Sequence, residues 1–209
     1  MVVVTVPVGR VVRWVENFEH RHGPTTYDVQ GGRLTGAAPD GSGFSAGVPF
    51  EAAYAGAATA EGLAAAVEEA VPGDWGVLLV RKGGFAVARL SGRATTASKV
   101  GQRHVQGRTK AGGQSQQRFA RRRDNQARQA YEAAADHAAR LLGDLRGPLV
   151  AGGDRGAVEE VLGDQRLARL RVVGPWLDVP DPRRGVLEKA ALDACSAQIE
   201  VDDTTRSEP

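Results

Sequence analysis

Residues 75–92, WGVLLVRKGGFAVARLSG, contain two apolar runs separated by the four residues RKGG. Two such runs around a short glycine-containing turn are typical of a β-hairpin. Upstream, residues 8–23 and 59–71 have apolar side chains at helical spacing, and Thr59 is a good N-cap for the second helix. Residues 25–50, between these helices, are rich in glycine and predict short strands. This half of the chain therefore mixes helices with short strands.

Downstream of the hairpin the elements alternate. Residues 115–142 form one long helical pattern, followed by a strand in GPLVAGG, a helix in DRGAVEEVLG, a strand in LARLRVVG and a final helix over about 182–195. This order predicts an α+β fold, a single domain with a mixed β-sheet flanked by helices. We expect the domain to span residues 1–201, with the residues before the long helix completing the sheet, and a polar C-terminal tail over 202–209.

The composition of the 209 residues limits the kinds of functional site that the chain can contain. The chain is 42% hydrophobic and 25% charged with a formal net charge of +2, as in ordinary globular proteins. The single cysteine, Cys195, excludes an internal disulfide and any multi-cysteine zinc site. The four histidines match no metal spacing, so no metal or other cofactor is expected. The chain shows neither a signal peptide nor a membrane-spanning stretch, which predicts a cytoplasmic protein without membrane partners.

The positive charge is concentrated in one segment. Residues 99–128 contain nine basic residues and one acid, Asp124, so this segment carries +8 while the whole chain carries +2. Cations in the first turns of a helix oppose its dipole, and a merely solvated helix would mix charge signs. The segment therefore indicates binding of an external anion, and we expect that anion to be phosphate. We expect RNA binding by Lys99, Arg103, Arg108, Lys110, Arg118, Arg121, Arg122, Arg123 and Arg128.

The long helix has two faces. If Ser115 is its N-cap, apolar side chains share an arc of about 140° on one side. Arginines occupy the opposite side, except for Arg123, which points into the apolar arc. The apolar arc contains Phe119, Ala127, Ala130, Tyr131, Ala134, Ala138, Leu141 and Leu142. The arginine side contains Arg118, Arg121, Arg122 and Arg128.

Gly112, Gly113 and Gln114 lie immediately before this helix. Two glycines allow the backbone to adopt positive φ and to approach a ligand closely. The neighbouring N–H groups can donate to an anion or an oxyanion. A carboxamide both donates and accepts hydrogen bonds. These three residues are the candidate catalytic residues, carried on a protruding loop over about residues 101–114.

The segment GRTKAGGQSQQRFARRRDNQARQAYEAAADHAARLL resembles the catalytic segment of eukaryotic and archaeal class I peptide chain release factors. In that family GGQ is followed by Ser and then by an Arg-Phe-Ala-Arg run that opens a long helix. Here those residues are Gly112-Gly113-Gln114, Ser115 and Arg118–Arg121. Bacterial release factors share GGQ without this continuation. The resemblance covers about 40 residues closely and implies the fold of the middle, catalytic domain.

A full class I factor also carries codon-reading and partner-binding domains, which are not expected here because the roughly 98 residues before the loop are needed to complete the sheet. The chain is therefore most similar to the Vms-like release factor (VLRF) family, in its bacterial, actinobacterial-type branch with an intact GGQ. That resemblance implies a codon-independent peptidyl-tRNA hydrolase acting on stalled large ribosomal subunits in ribosome quality control. Its implied partners are the large subunit with its ribosomal RNA and the CCA end of peptidyl-tRNA. DNA is not expected as a partner, and the chain is expected to be a monomer.

Two other interpretations stay open from the residues. The chain could be a non-catalytic ribosome- or RNA-binding protein whose GGQ is a flexible tip. It could also be an unrelated hydrolase with a Ser-His-Asp site assembled from scattered residues, although no GxSxG motif is present. AGGDRG, after the strand in GPLVAGG, lacks the ending of a P-loop and is better interpreted as a strand-to-helix turn.

Overall fold

A computed structural model describes residues 1–82, 84–102 and 114–204, without the side chains of residues 102 and 114–127. The described chain divides into two compact units. The first unit contains Met1–Pro72 and the chain from Ala191 onward, and the second contains Gly73–Ala190. Each unit has its own five-stranded sheet. None of the described helices combines the length and the apolar composition needed to cross a membrane.

The first unit contains an antiparallel sheet and two helices. Its strands are β1 (Val2–Val6), β2 (Thr26–Gln30), β3 (Arg33–Ala37), β4 (Gly43–Gly47) and β10 (Ala197–Asp202). Its helices are α1 (Val11–His22) and α2 (Ala60–Glu69). The strand order is β1-β10-β4-β3-β2, and every neighbouring pair is antiparallel. The C-terminal strand therefore lies between two strands from the beginning of the chain.

An aromatic cluster packs α1 on this sheet. The ring of Phe44, in β4, makes edge-to-face contacts with Trp14 and Phe18 of α1, with centroids 5.2 and 5.0 Å apart. Phe44 also lies across Gly36, its partner in β3, so that a Cβ added at Gly36 would overlap the ring. Glycine at this position thus lets the ring lie against the sheet and reach the helix. The predicted cap of α2 is confirmed, because Thr59 Oγ1 accepts from the Gly62 N–H at 3.0 Å.

The second unit contains a mixed sheet and the predicted long helix. Its strands are β5 (Trp75–Arg81), β6 (Gly84–Ser91), β7 (Ala94–Gln102), β8 (Pro148–Gly153) and β9 (Arg171–Leu177). Its helices are α3 (Gln114–Leu142) and α4 (Arg155–Leu162), and α5 (Arg184–Ala194) leads from this unit into the first. The order is β7-β6-β5-β8-β9, with β5–β8 and β8–β9 parallel and the other pairs antiparallel. The predicted α+β class and mixed sheet flanked by helices are confirmed.

The predicted hairpin forms the centre of this sheet. β5 is buried on both faces, because Leu78 and Val80 alternate with Val77 and Leu79 and all four side chains are at most 1% exposed. This two-sided burial explains the continuous apolar run in the sequence. Leu78 and Val80, with their β6 partners, belong to the core cluster that includes side chains of α3 and α4. The hairpin therefore provides the surface on which the long helix packs.

A charged cluster ties the end of α3 to the hairpin. The Arg89 guanidinium, in β6, donates to Asp74 at 2.8 Å and to Asp144, just after α3, at 2.6 Å. The hydrogen bonds from Arg89 hold the pKa of Asp74 below its usual range. Because Asp74 stays 41% exposed, solvent screening limits what this ion pair contributes to stability.

The structure differs from the sequence-based expectation in its number of sheets. The residues before the basic segment were expected to complete one sheet, but the first 72 residues form a separate sheet together with β10. Neither β1 nor β10 was predicted, because their pairing joins opposite ends of the chain and has no local turn signal. β7 was missed since its sequence, ATTASKVGQ, is mostly polar, as suits a strand at the edge of a sheet.

Two element boundaries in the structure differ from those predicted from the sequence. The strand expected in LARLRVVG begins later, at Arg171, because Gln165–Leu167 form a short 3-10 helix capped by Asp164. The expected tail from residue 202 begins inside β10, and Thr204 donates to the Asp40 carbonyl at 3.0 Å.

Replacing Gly36 by alanine should destabilise the first unit. The added methyl group must displace the Phe44 ring from a packed core, which costs about 1–3 kcal/mol. Urea denaturation followed by circular dichroism measures the free energy of unfolding. Gly9→Ala is the matched control, because nothing lies within 4 Å of a Cβ at Gly9. Equal stability of the two variants would contradict the packing described for Phe44.

The Asp74–Arg89 pair should make stability depend on acid pH. The folded pKa of Asp74 is lowered, so its contribution is present above the unfolded pKa of about 3.9 and is lost as the pH falls through the folded pKa. Asp74→Asn should therefore reduce the free energy of unfolding at neutral pH and flatten its decrease below about pH 4. Asp178→Asn, which removes an exposed carboxylate without an ion pair to any described residue, is the control. A steep acid limb retained in Asp74→Asn would contradict the assignment.

Candidate functional site

The candidate site lies where β7 passes into α3. β7 ends at Gln102 and α3 begins at Gln114. The connecting residues 103–113 lie outside the described residues. They include the predicted site residues Gly112, Gly113, Arg103, Arg108 and Lys110.

Gln114 is placed by its backbone, as the first residue of α3. The first four N–H groups of a helix have no intrahelical acceptor, and the helix dipole adds partial positive charge there. The first turn of α3 contains no acidic residue that could satisfy them. The N-terminus of α3 is therefore a favourable position for a negatively charged atom. Ser115, expected as N-cap, lies inside the first turn.

The predicted apolar arc of α3 is confirmed over its C-terminal half. Tyr131, Ala134, Ala138 and Leu142 are buried in the core of the second unit, and Ala130 and Leu141 are half-buried. The side chains of Phe119 and Ala127 are not among those described. A helix of 29 residues is about 43 Å long, so roughly half of that length is held by the buried arc.

The predicted arginines occupy the N-terminal half of the same helix. Arg118, Arg121 and Arg122 are separated by three and four positions, a spacing that places them on one side of a helix. Their side chains, and that of Arg123, are outside the description. Arg128 is described and is 66% exposed, with its Nε 4.0 Å from Glu132. Lys99 lies in β7 and is exposed.

The charge along α3 changes sign after Arg128. An open cleft of about 400 Å³ lies beside the helix, and its lining includes four carboxylates and two arginines. Tyr131 also lines this cleft, and burial together with Asp154 and Glu160 raises its pKa. Phosphate would be repelled by the carboxylates, so the cleft does not extend the predicted RNA surface. The carboxylates are Glu132, Asp136, Glu160 and Asp164.

Arg166 forms ion pairs with two of the carboxylates that line this cleft. Its guanidinium contacts Asp164 at 2.6 Å and Asp136 at 2.7 Å. The hydrogen bonds from Arg166 lower the pKa of Asp164 to about 2. Two of the four carboxylates are therefore already neutralised by a cation of the same chain.

The turn after β8 is structural, as its sequence indicated. Asp154 accepts a hydrogen bond from the Ala157 N–H at 3.2 Å and so caps α4. Its carboxylate occupies the position that a bound phosphate would need in a phosphate loop.

A histidine and an aspartate pair in the first unit. His22 Nδ1 lies 2.8 Å from Asp40 Oδ2, and His22 is 6% exposed. The nearby Ser42 hydroxyl is 3.0 Å from that of Thr204 and not paired with the histidine. These groups connect the end of α1, the β3–β4 turn and the residues after β10. The described residues contain no group of three or more His, Cys, Asp or Glu side chains placed to hold a metal ion.

The sequence did not single out two residues of α3 that lie against the β6–β7 side of the sheet. His137 and Arg140, on α3, lie together, with Arg140 Nη2 3.2 Å from His137 Nδ1. The i,i+3 spacing of a histidine and an arginine on a predicted helix could have indicated that they meet. Their position beside β7 depends on how α3 packs and had no signal in the sequence.

Comparison with curated proteins found none that matches this chain. Comparison with protein families gave a match to the family described as Actinobacteria/chloroflexi VLRF1 release factor, over residues 73–200. The match begins with the second unit and includes β7, the basic segment and α3. It also covers more than half of the chain. The chain therefore belongs to the actinobacterial and chloroflexi VLRF1 release factors, with a function of the release-factor type.

Proposed function

We propose that this protein is a peptidyl-tRNA hydrolase that cleaves the ester between a nascent peptide and tRNA on stalled large ribosomal subunits. The observation that carries the proposal is the position of Gln114, the third residue of GGQ, at the N-terminus of α3. Membership in a release-factor family supports hydrolysis and ribosome binding in general. The specific substrate and the role in ribosome quality control belong to this proposal.

In the proposed reaction a water oxygen attacks the ester carbonyl carbon. The bond to the ribose 3′ oxygen breaks, and a proton passes to that oxygen to give tRNA and a free peptide carboxylate. Gln114 cannot act as a general base because its amide does not titrate. Its carboxamide would orient the water, and its backbone N–H would donate to the oxyanion. The ribose 2′-OH and ribosomal RNA would supply the remaining groups.

Gly112 and Gly113 would let this N–H approach the ester. Glycine has no Cβ to hinder close approach of the backbone to a ligand, and it tolerates the backbone conformations that such an approach needs. The N-terminus of a helix, with its dipole, stabilises negative charge as it develops. This position therefore suits an oxyanion better than the middle of a loop would.

The basic residues would hold RNA phosphates around the loop. These are Lys99, Arg103, Arg108, Lys110, Arg118, Arg121, Arg122, Arg123 and Arg128. Such contacts position a protein without reading sequence. Release would be independent of the codon, because an isolated large subunit has no decoding site. The protein would act as a monomer in the cytoplasm, with neither DNA nor a membrane as partner and without a cofactor.

The alternative is a protein that binds ribosomes without catalysis. It predicts the same RNA binding but no role for the Gln114 N–H. Substitutions at Gln114 that separate binding from release therefore distinguish the two functions.

Gln114→Pro should abolish release while leaving α3 intact. Proline is well tolerated at the first helical position, since its missing N–H has no partner within the helix. Loss of one oxyanion donor costs about 10²–10³ in rate, and proline also restricts Gly113. Gln114→Ala keeps the N–H and should retain more activity. The measurement is single-turnover release of peptide from purified large subunits carrying peptidyl-tRNA.

Pelleting with large subunits is the binding control, and all variants should pellet like the wild type. Gln117→Ala, which removes a carboxamide three residues further along α3, should release at the wild-type rate. Gly113→Val should be inactive because its side chain blocks approach. A wild-type rate from Gln114→Pro would reject the backbone mechanism, and full activity of every variant would favour the non-catalytic alternative.

Binding to large subunits should weaken steeply with salt. If about five to seven phosphates are neutralised, the log–log slope should be roughly −3 to −5. Arg118→Glu with Arg122→Glu should reduce both the affinity and the magnitude of this slope. Arg169→Glu with Arg171→Glu, at β9 on the opposite edge of the mixed sheet from β7, should change neither by much. Unchanged affinity in the first pair would reject this face of α3 as the contact surface.

A further inference from the structure

We propose that Lys99, His137 and Arg140 form a phosphate-binding site for RNA, distant from the GGQ loop along α3. This inference rests on the proposed function, since it takes the bound RNA to be ribosomal RNA or the tRNA of the substrate. His137 and Arg140 lie outside the basic segment recognised in the sequence.

The backbone register places Lys99 on the helix-facing side of the sheet. Lys99 pairs with Val87, and residues directly opposite one another in an antiparallel pair project to the same face. Val87 belongs to the core cluster that packs against α3. Lys99 is exposed at the edge strand, so its ammonium group lies at the margin of that packed surface.

Phe85 holds His137 in this region. The rings of Phe85 and His137 are stacked, with centroids 5.5 Å apart and planes inclined by 28°. The Phe85 ring also covers Gly101, its partner in β7, where a Cβ would overlap the ring. Gly101 lies two residues beyond Lys99, on the same face of β7. The imidazole is thereby fixed beside the strand that carries Lys99.

Arg140 completes the site. Its Nη2 is 3.2 Å from His137 Nδ1, and its Nε donates to the Asp136 carbonyl at 3.2 Å. Because a guanidinium can only donate, Nδ1 of His137 accepts and the proton of the neutral ring is on Nε2. The Nε2–H is therefore a donor, next to one guanidinium with further N–H groups and one ammonium.

The positive charge of this site has no counter-ion within the described chain. Neither Lys99 nor Arg140 forms an ion pair with a described residue. The nearest carboxylate on α3, Asp136, is held by Arg166 at 2.7 Å. Two cations and a neutral donor can bind the two non-bridging oxygens and the single charge of a phosphodiester.

The pKa of His137 is lowered from its usual range. Burial is the largest cause, and the positive charges of Arg140 and Lys99 lower the pKa further. The charge of Asp136 acts in the opposite direction and raises it. The other ring in contact, Phe85, carries no charge. A bound phosphate would oppose these effects and raise the pKa of His137.

The distance to the loop distinguishes this site from the arginines near GGQ. His137 follows Gln114 by 23 positions in one continuous helix, which is about 35 Å at the helical rise. RNA bound at both places would contact α3 near its beginning and close to its end. Asp136, which precedes His137 and lines the acidic cleft, is paired with Arg166.

Binding measurements with two RNA probes test the proposal. Large subunits without tRNA and free deacylated tRNA are each titrated against the wild type and against Lys99→Gln with Arg140→Gln, over a range of salt concentrations. For the RNA that uses the site, the affinity should fall about tenfold and the magnitude of the salt slope should decrease by about 1 to 2. An effect on subunits identifies ribosomal RNA, and an effect on tRNA identifies the substrate.

Arg169→Gln with Arg171→Gln is the matched control, since it removes the same charge at the opposite edge of the sheet. This pair should change affinity by less than about twofold. Unchanged affinity of the Lys99 and Arg140 variant for both RNAs, or an equal loss in the control, would overturn the proposal.

His137 provides a readout that a purely structural role would not change. Its pKa, followed by NMR, should rise when the RNA is added, so wild-type affinity should increase as the pH falls from about 8 to 6. His137→Gln should reduce this pH dependence. An unchanged pKa in the presence of saturating RNA would contradict direct contact.

Failure of this proposal can be separated from failure of the proposed function. Single-turnover release by the wild type tests the proposed function, whereas the RNA affinity of the Lys99 and Arg140 variant tests the phosphate site. Wild-type release together with unaltered RNA affinity of the variant would overturn the phosphate site alone. Absence of release by the wild type would overturn the proposed function and leave the binding measurements to decide the site.

Discussion

The packing of α3 on the β5–β6 hairpin is the interaction on which the rest of the candidate site depends. The buried arc from Tyr131 to Leu142 lies on apolar side chains of the hairpin, and Arg89 binds Asp144 just beyond the helix. These contacts fix the axis of a helix whose first residue is Gln114. Because a helix propagates its direction through its backbone hydrogen bonds, burial at one end determines where the other end can present its N–H groups.

The two halves of α3 have different roles, one in the stability of the fold and one in the candidate site. The C-terminal half of α3 supplies core side chains, and the N-terminal half carries arginines and the glutamine of GGQ. Alanine dominates the buried arc, which lets the helix approach the sheet closely. A change in the loop would therefore leave the core unaltered, which makes Gln114 and the two glycines suitable for separating catalysis from folding.

Positive and negative side chains are concentrated in different segments and are not mixed evenly over the surface. The chain carries only +2, yet positive charge gathers in residues 99–128, and Arg140 adds a further cation next to His137. Beyond Arg128, carboxylates line the cleft beside α3, where Arg166 already neutralises Asp136 and Asp164. An RNA backbone would be attracted to one side of α3 and repelled from the cleft, so orientation would follow from charge without base recognition.

The sequence by itself determined the local elements and the family. The hairpin, the amphipathic arc of α3 and the Thr59 cap all depend on neighbouring residues, and the structure contains each of them. The GGQ and Arg-Phe-Ala-Arg residues indicated the release-factor family before any contact was known. Tertiary structure decided the second sheet, because Val6 pairs with Ala197 across nearly the whole chain and no local pattern encodes that pairing. It also decided that His137 lies against Phe85, whose β7 partner Gly101 is two residues from Lys99, since this follows from the β6–β7 register and the packing of α3 and not from residues close in sequence.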